Sequence, residues 1–174
     1  DKSMIQHVYE RCAAAECIDD LVVATDDQRI LDAVLAFGGK ATLTRPDHPS
    51  GTDRLAEVAE SIEGDIIVNI QGDQPFFDHN MIGEVVAPLI EDPTLEVATL
   101  MYPIEREDDL HDTGVVKVVT NLLGDALYFS RSLIPFPRQQ VAHKVYEHVG
   151  LYAYRKTSLM RLARLPMTTL EAVE

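Results

Sequence analysis

The sequence predicts an α/β protein with helices on both faces of a mostly parallel, partly mixed central sheet. Three observations lead there. Short apolar, β-branched runs alternate with segments whose apolar residues recur every three or four positions, as expected for strands alternating with helices. The strongest strand signal, Asp65–Ile70 (DIIVNI), is short, β-branched and bounded by polar residues. Later in the chain, strand signals follow one another in pairs, which turns part of the sheet mixed.

The elements follow in order. Met4, Ile5, Val8, Cys12 and Ala15 are spaced as one helix face. Asp20–Asp26 (DLVVATD) reads as a buried parallel strand. Arg29–Phe37 is helical and stops at Gly38-Gly39, a C-terminal signal. Ala41–Thr44 is a short strand. Thr52–Ile62 is helical, with Leu55, Val58, Ala59 and Ile62 on one side, and ends at Gly64. A helix from His79 to Ile90 is closed by Asp92-Pro93. Leu95–Met101, Val115–Thr120 and Ala126–Ser130 read as strands, the last two separated by a turn at Leu122–Asp125. Val145–Tyr154 is a further strand. Thr157 is placed to cap a helix reaching Leu165, and another helical pattern starts at Leu170 and runs to Glu174.

The 174 residues suit one domain, 1–174. No apolar run reaches the roughly 18 residues of a membrane span, and no secretory leader is read at Asp1-Lys2-Ser3. Fifteen basic against 29 acidic residues give a net charge of −14, the reverse of a duplex nucleic-acid binder. Any anionic ligand must therefore be met by a local Arg/Lys cluster or a metal ion. Cys12 and Cys17 point to different faces and read as reduced thiols of a reducing compartment, the cytoplasm. There is no zinc motif, no Ser-His-Asp or Cys-His arrangement and no GxGxxG.

In open α/β sheets ligands bind at the carboxyl ends of the strands. That selects Thr25–Asp27, Arg45–Arg54, Gln71–Pro75 and the region after Tyr128. Asp73, beside Gly72 at the end of the strongest strand, suits a Mg2+ ion held between protein and phosphates, and Mg2+ needs only one or two protein carboxylates. The same stretch also reads as an ordinary turn with an Asx bond. Ser50, Gly51, Thr52 and Arg54 open a helix whose N–H groups attract anions. Equally, Ser50 or Thr52 is a plain N-cap and Arg54 a surface charge. Arg131 and Arg138 flank the proline-stiffened Ser132–Pro137, and a guanidinium fork matches a carboxylate such as that of an acidic sugar. Solvated arginines are the alternative. His148 and Tyr152 alternate along a strand and can hydrogen-bond sugar hydroxyls, while His148 also reads as a satisfied core histidine. The other five histidines form no cluster, and His7 and His143 read as exposed.

Seven stretches, in order, carry a family resemblance: Met4–Arg11 (MIQHVYER), Val23–Asp27 (VATDD), Ser50–Glu57 (SGTDRLAE), Val68–Pro75 (VNIQGDQP), Val116–Val119 (VKVV), Ala126–Ser132 (ALYFSRS) and His148–Arg155 (HVGLYAYR). Together they resemble the 3-deoxy-manno-octulosonate (Kdo) cytidylyltransferases. The resemblance implies a three-layer nucleotidyltransferase fold, Rossmann-like and GT-A-like. It implies transfer of CMP from CTP to Kdo, giving CMP-Kdo and pyrophosphate for lipopolysaccharide biosynthesis, with the anomeric hydroxyl attacking the α-phosphorus in line. By that resemblance Asp73 is catalytic, as one of two Asp ligands of Mg2+. Ser50, Gly51, Thr52 and Arg54 line the cytosine and ribose pocket. Gln71, Arg131, Arg138, His148 and Tyr152 face the Kdo carboxylate and hydroxyls. A homodimer is implied too; Leu133–Phe136 and Val116–Val119 are apolar enough for a subunit contact or for core.

There are departures from the family pattern. Its N-terminal strand and a phosphate loop rich in Arg, Ser, Gly and Lys are expected before Asp1. The second metal-binding Asp and most of a Glu-rich helix are expected beyond Glu174. The 174 residues alone are therefore expected to be inactive. Gln74 stands where many relatives carry Glu. Two other readings remain: a sister enzyme for an amino-Kdo or a sialic acid, and a catalytically inactive nucleotide-binding module of the same fold. The Ser50–Arg54 and His148–Tyr152 stretches favour Kdo over sialate.

Overall fold

The computed structural model describes residues 1–139 and 141–173. In chain order its elements are α1 (Met4–Ala13), β1 (Val23–Thr25), α2 (Gln28–Ala36), β2 (Ala41–Leu43), α3 (Gly51–Glu60), β3 (Ile66–Asn69), α4 (Asn80–Glu91), β4 (Val97–Pro103), α5 (Glu107–His111), β5 (Lys117–Thr120), β6 (Ala126–Ser130), β7 (Tyr146–Arg155) and α6 (Lys156–Leu162). They fall into two compact units, one of Asp1–Ala98 with Leu151–Glu174 and one of Thr99–Gly150.

In the first unit, side chains fix the helix starts. Ser3 Oγ accepts from the Gln6 N–H at 3.4 Å, Asp27 from Arg29 at 2.8 Å and Ser50 Oγ from Asp53 at 3.2 Å. Each satisfies a donor that the first turn leaves without an intrahelical partner. After α2 the chain turns at Gly38, with φ of 84°, and the Gly38 and Gly39 N–H groups close onto Leu35 and Val34 carbonyls, both at 3.0 Å. A residue with a Cβ would be strained there. β1 and β2 pair in parallel, Val23 opposite Ala41. β3 pairs antiparallel with the end of β7, Ile66 opposite Arg155 and Asn69 opposite Tyr152. β1 and β3 face one apolar cavity, lined by Ala24, Leu55, Ile67 and Ile82 among others. Ala56 and Ala59 of α3 bury against Tyr154 and Leu159, while Ile82, Val85 and Leu89 of α4 are closed to solvent.

The junction of β7 and α6 differs from expectation. Thr157 is exposed inside α6 and does not cap it; the cap position is Arg155, with no side-chain cap bond. Strand runs directly into helix, the Lys156 N–H donating to Asp65 O at 2.9 Å. The Arg155 guanidinium instead gathers the carbonyls that close α4, donating to Leu95 O at 2.8 Å, Asp92 O at 3.1 Å and Leu89 O.

In the second unit β5 pairs antiparallel with β6, Lys117 opposite Ser130, and with the start of β7, Lys117 opposite Glu147. Its buried side chains include Val118, Val145 and Lys117, the last closed to solvent entirely. The short α5 was not expected, because Glu107, Asp108 and Asp109 carry no apolar stripe; acidic residues in a first turn suit the positive end of the helix dipole.

The α/β class holds, and strand pairing is mixed as expected: β1–β2 is parallel, while β3–β7 and β5–β6 are antiparallel. The Asp20–Asp26 strand contracts to Val23–Thr25 because Asp20 turns outward to Lys40, 2.5 Å away, and to the Leu21 N–H. Beyond α6, residues 169–173 form turns rather than an assigned helix. Thr168 and Glu171 exchange bonds there, the Thr168 N–H donating to Glu171 Oε2 at 2.6 Å and the Glu171 N–H to Thr168 Oγ1 at 3.3 Å, the reciprocal cap of a helix start. Glu174, the end of that predicted pattern, lies outside the described residues. No helix among the described residues is long and apolar enough to cross a membrane.

Candidate functional site

In the first unit the loop from β2 to α3 is built around polar anchors. Ser50 caps α3 and also donates its hydroxyl to Asp53 Oδ2 at 2.5 Å. Gly51 is exposed, and a Cβ built on it would meet nothing within 4 Å. Its missing side chain therefore answers no packing need; it leaves the start of α3 open. Thr52 is half-buried in the first turn of α3, and the Tyr154 ring stacks on Tyr152 with centroids 5.8 Å apart. Burial pushes the Tyr154 phenol up to about 12.

Arg54 is not a solvated surface charge. Its Nη1 donates to Thr44 Oγ1 at 2.5 Å and lies 3.2 Å from Asp26 Oδ1. One guanidinium thus ties together the residues following β1 and β2 and the first turn of α3. Glu57, which was given no role, closes the same loop. It accepts from the Arg45 N–H at 3.3 Å and pairs with the buried His48 ring, and the His48 bond holds its carboxyl below the ordinary value.

At the carboxyl end of β3 the chain makes the turn read from Gln71–Pro75, the Gln74 N–H donating to Gln71 O at 3.2 Å. Gln71, Gly72 and Asp73 are all exposed, so the Asp73 carboxylate does not belong to the interior. The pairing of Asn69 with Tyr152 sets Tyr152 beside the strand end from which this turn departs. Arg11 secures the following segment, donating to Phe77 O at 3.3 Å, and the Phe77 side chain is buried. A solvent-facing carboxylate is a hard oxygen donor of the kind Mg2+ takes. Among the described residues no group of three or more His, Cys, Asp or Glu side chains is placed to hold a metal; Mg2+ bound through one or two carboxylates needs no such group.

The second unit carries Arg131, Arg138 and His148. Arg131 follows β6, is exposed, and donates from Nη1 to Thr113 O at 2.8 Å. Arg138 is exposed, its backbone N–H donating to Phe136 O at 2.9 Å. Phe136 itself is 82% exposed, so the Leu133–Phe136 stretch is not core at that residue. His148 is half-buried, packs edge-on against Phe129 with centroids 4.6 Å apart, and sets Nε2 2.9 Å from Thr99 Oγ1. Thr99 Oγ1 also donates to Val149 O at 3.1 Å. A hydroxyl has one hydrogen, so toward His148 Thr99 accepts, and the ring carries a proton on Nε2. Burial pushes the His148 pKa below 6.5. Thr99 was not singled out, since a threonine among apolar strand residues gives no sign of its partner.

The Cytidylyltransferase family model matches residues 1–174. The chain is similar to the 3-deoxy-manno-octulosonate cytidylyltransferase of Syntrophotalea carbinolica, 50% identical over 182 residues, covering 99% of this chain and 73% of that protein. The enzyme of the same name from Geobacter sulfurreducens is 49% identical, with 99% and 74% covered. Among solved structures, CMP:2-keto-3-deoxy-manno-octonic acid synthetase complexed with CTP superposes with a TM-score of 0.92 at 46% identity, over 98% of this chain and 70% of that one.

Proposed function

The chain belongs to the 3-deoxy-manno-octulosonate cytidylyltransferases, and we propose on that footing that it transfers CMP from CTP to Kdo and releases pyrophosphate. The observation that carries this reading is identity near one half with relatives of that name across 99% of the chain. In the reaction the anomeric hydroxyl oxygen of Kdo forms a bond to the α-phosphorus. The bond from that phosphorus to the α,β-bridging oxygen breaks, the hydroxyl proton leaves, and pyrophosphate departs. Such a displacement depends on positioning and charge neutralisation more than on covalent catalysis.

The residues divide that work. Asp73 would hold Mg2+, which supplies charge neutralisation on the phosphates when bound. Ser50, Gly51 and Thr52, at the open start of α3, would meet the nucleotide, and Arg54 would keep that loop in shape as well as contact it. Arg131 and Arg138 would take the sugar carboxylate as a guanidinium fork takes any carboxylate. Gln71, His148 and Tyr152 would bond sugar hydroxyls. A homodimer in the cytoplasm, where CTP is at hand, completes the reading, and the product serves lipopolysaccharide biosynthesis.

The test is pyrophosphate release by the full-length protein from CTP and Mg2+ with Kdo, an 8-amino analogue of Kdo, or a sialic acid as acceptor. Kdo is expected to give the highest kcat/KM. A clear preference for either alternative acceptor would reassign the substrate. CTP binding with no turnover on any of them would favour the inactive-module reading.

A further inference from the structure

We propose that Lys117 is a positioning residue for sugar recognition: from inside the second unit it fixes the main chain on which Arg131 meets the sugar carboxylate. The inference rests on the reading of Arg131 given above. Lys117 heads the fully buried side chains by size, with 0% of its surface exposed. A buried ammonium is costly unless its donors are satisfied, and an apolar side chain of similar volume would fill the space without that cost.

The partners of its Nζ account for its presence. Nζ donates to Asp112 O at 2.6 Å, Val115 O at 2.9 Å and Arg131 O at 3.2 Å. An ammonium has three donors and no acceptor, so three carbonyls saturate it. No methionine or leucine could draw three carbonyl oxygens to one point. Two of those carbonyls bracket the 112–115 turn, and from that same turn Thr113 O accepts the Arg131 guanidinium at 2.8 Å. The third belongs to Arg131 itself. Lys117 therefore holds both the root of the Arg131 side chain and the turn against which its head rests. Buried Ser130 completes the frame, its Oγ accepting the Ser132 N–H at 3.0 Å across Arg131.

An exposed arginine otherwise loses much rotamer freedom on binding a carboxylate, and fixing it beforehand lowers that loss. The Lys117 cage does this from a position that touches no ligand.

The experiment is steady-state kinetics on the full-length protein for Lys117→Met, Lys117→Gln, Arg131→Ala and the Lys117→Met/Arg131→Ala pair. Lys117→Met is expected to raise KM for Kdo about tenfold while KM for CTP stays within about twofold. Added to Arg131→Ala it should raise KM for Kdo no further, because the residue it serves is gone. Preference for Kdo over its carboxamide should shrink in all three single variants. Equal rises in both KM values, or additive effects in the pair, would overturn the proposal. If Arg131→Ala leaves KM for Kdo unchanged, the reading of Arg131 fails and the proposal with it. If Arg131→Ala raises KM and Lys117→Met does not, the proposal alone fails. Should neither Lys117 variant fold, the unmodified protein decides. Its Lys117 Nζ resonance, shielded by burial, is expected to shift on adding Kdo but not the carboxamide, and an unmoved resonance would overturn the proposal.

Discussion

The Arg54 guanidinium stands 3.2 Å from the Asp26 carboxylate and donates to buried Thr44. This one side chain closes the loops after two strands onto the start of α3. Arg54→Ala should therefore lower stability, by about 1–2 kcal/mol once the partial exposure of the pair is allowed for. Arg54→Lys should recover only part of that loss, because an ammonium lacks the fork that spans two partners. Urea unfolding midpoints of the three proteins check this. An alanine variant as stable as the parent would leave Arg54 with a binding role alone.

The two thiols should differ sharply in reactivity. Cys12 is buried, and burial pushes its thiol up to about 11, so almost none is thiolate near pH 8. Cys17 is exposed beyond the end of α1. A chromogenic disulfide reagent is expected to titrate one thiol quickly in the native protein and the second only after denaturation. Two fast equivalents would contradict the placement of Cys12.

These two residues also mark what could be read in advance. Cys12 was placed by helical spacing alone, since periodicity reports burial directly. Apart from α5 and the pattern from Leu170, the elements appeared within a few residues of expectation, Ala126–Ser130 without change. The caps were legible only in part. Ser50 reads as a cap because its hydroxyl acts on its own helix, whereas Thr157 failed because β7 feeds α6 without a break and leaves the cap position to Arg155. Partners distant in sequence were not legible. Nothing in the sequence says that Arg54 meets Asp26, that His148 meets Thr99, or that Lys117 collects carbonyls from two segments, because such bonds depend on how strands register. That the sheet is partly mixed was legible, but which strands pair was not: β3 pairs antiparallel with β7, more than eighty residues away in the chain.

His148 gives a pH dependence with a definite sign. Burial lowers its folded pKa, while the unfolded ring titrates near about 6.5. Between those two values the unfolded chain takes up a proton that the folded one refuses. Stability should fall as pH drops through about 6.5, and the loss should stop once pH passes below the folded value. His148→Gln does not titrate, so the difference in unfolding free energy between the two proteins should change with pH only in that window. A difference that is flat from neutral to acid pH would mean the ring is protonated alike in both states.

Asp73 carries the central claim, and Asp73→Asn tests it most directly because the residue is exposed and the amide keeps its shape. The measurement is the rate of pyrophosphate release from CTP and Kdo against Mg2+ concentration, for the full-length parent and for its Asp73→Asn variant. Removal of the carboxylate is expected to cut turnover by about 100-fold or more at equal Mg2+, with the unfolding midpoint unchanged. An Asp73→Asn protein that turns over at the parental rate, with the parental Mg2+ requirement, would contradict the account.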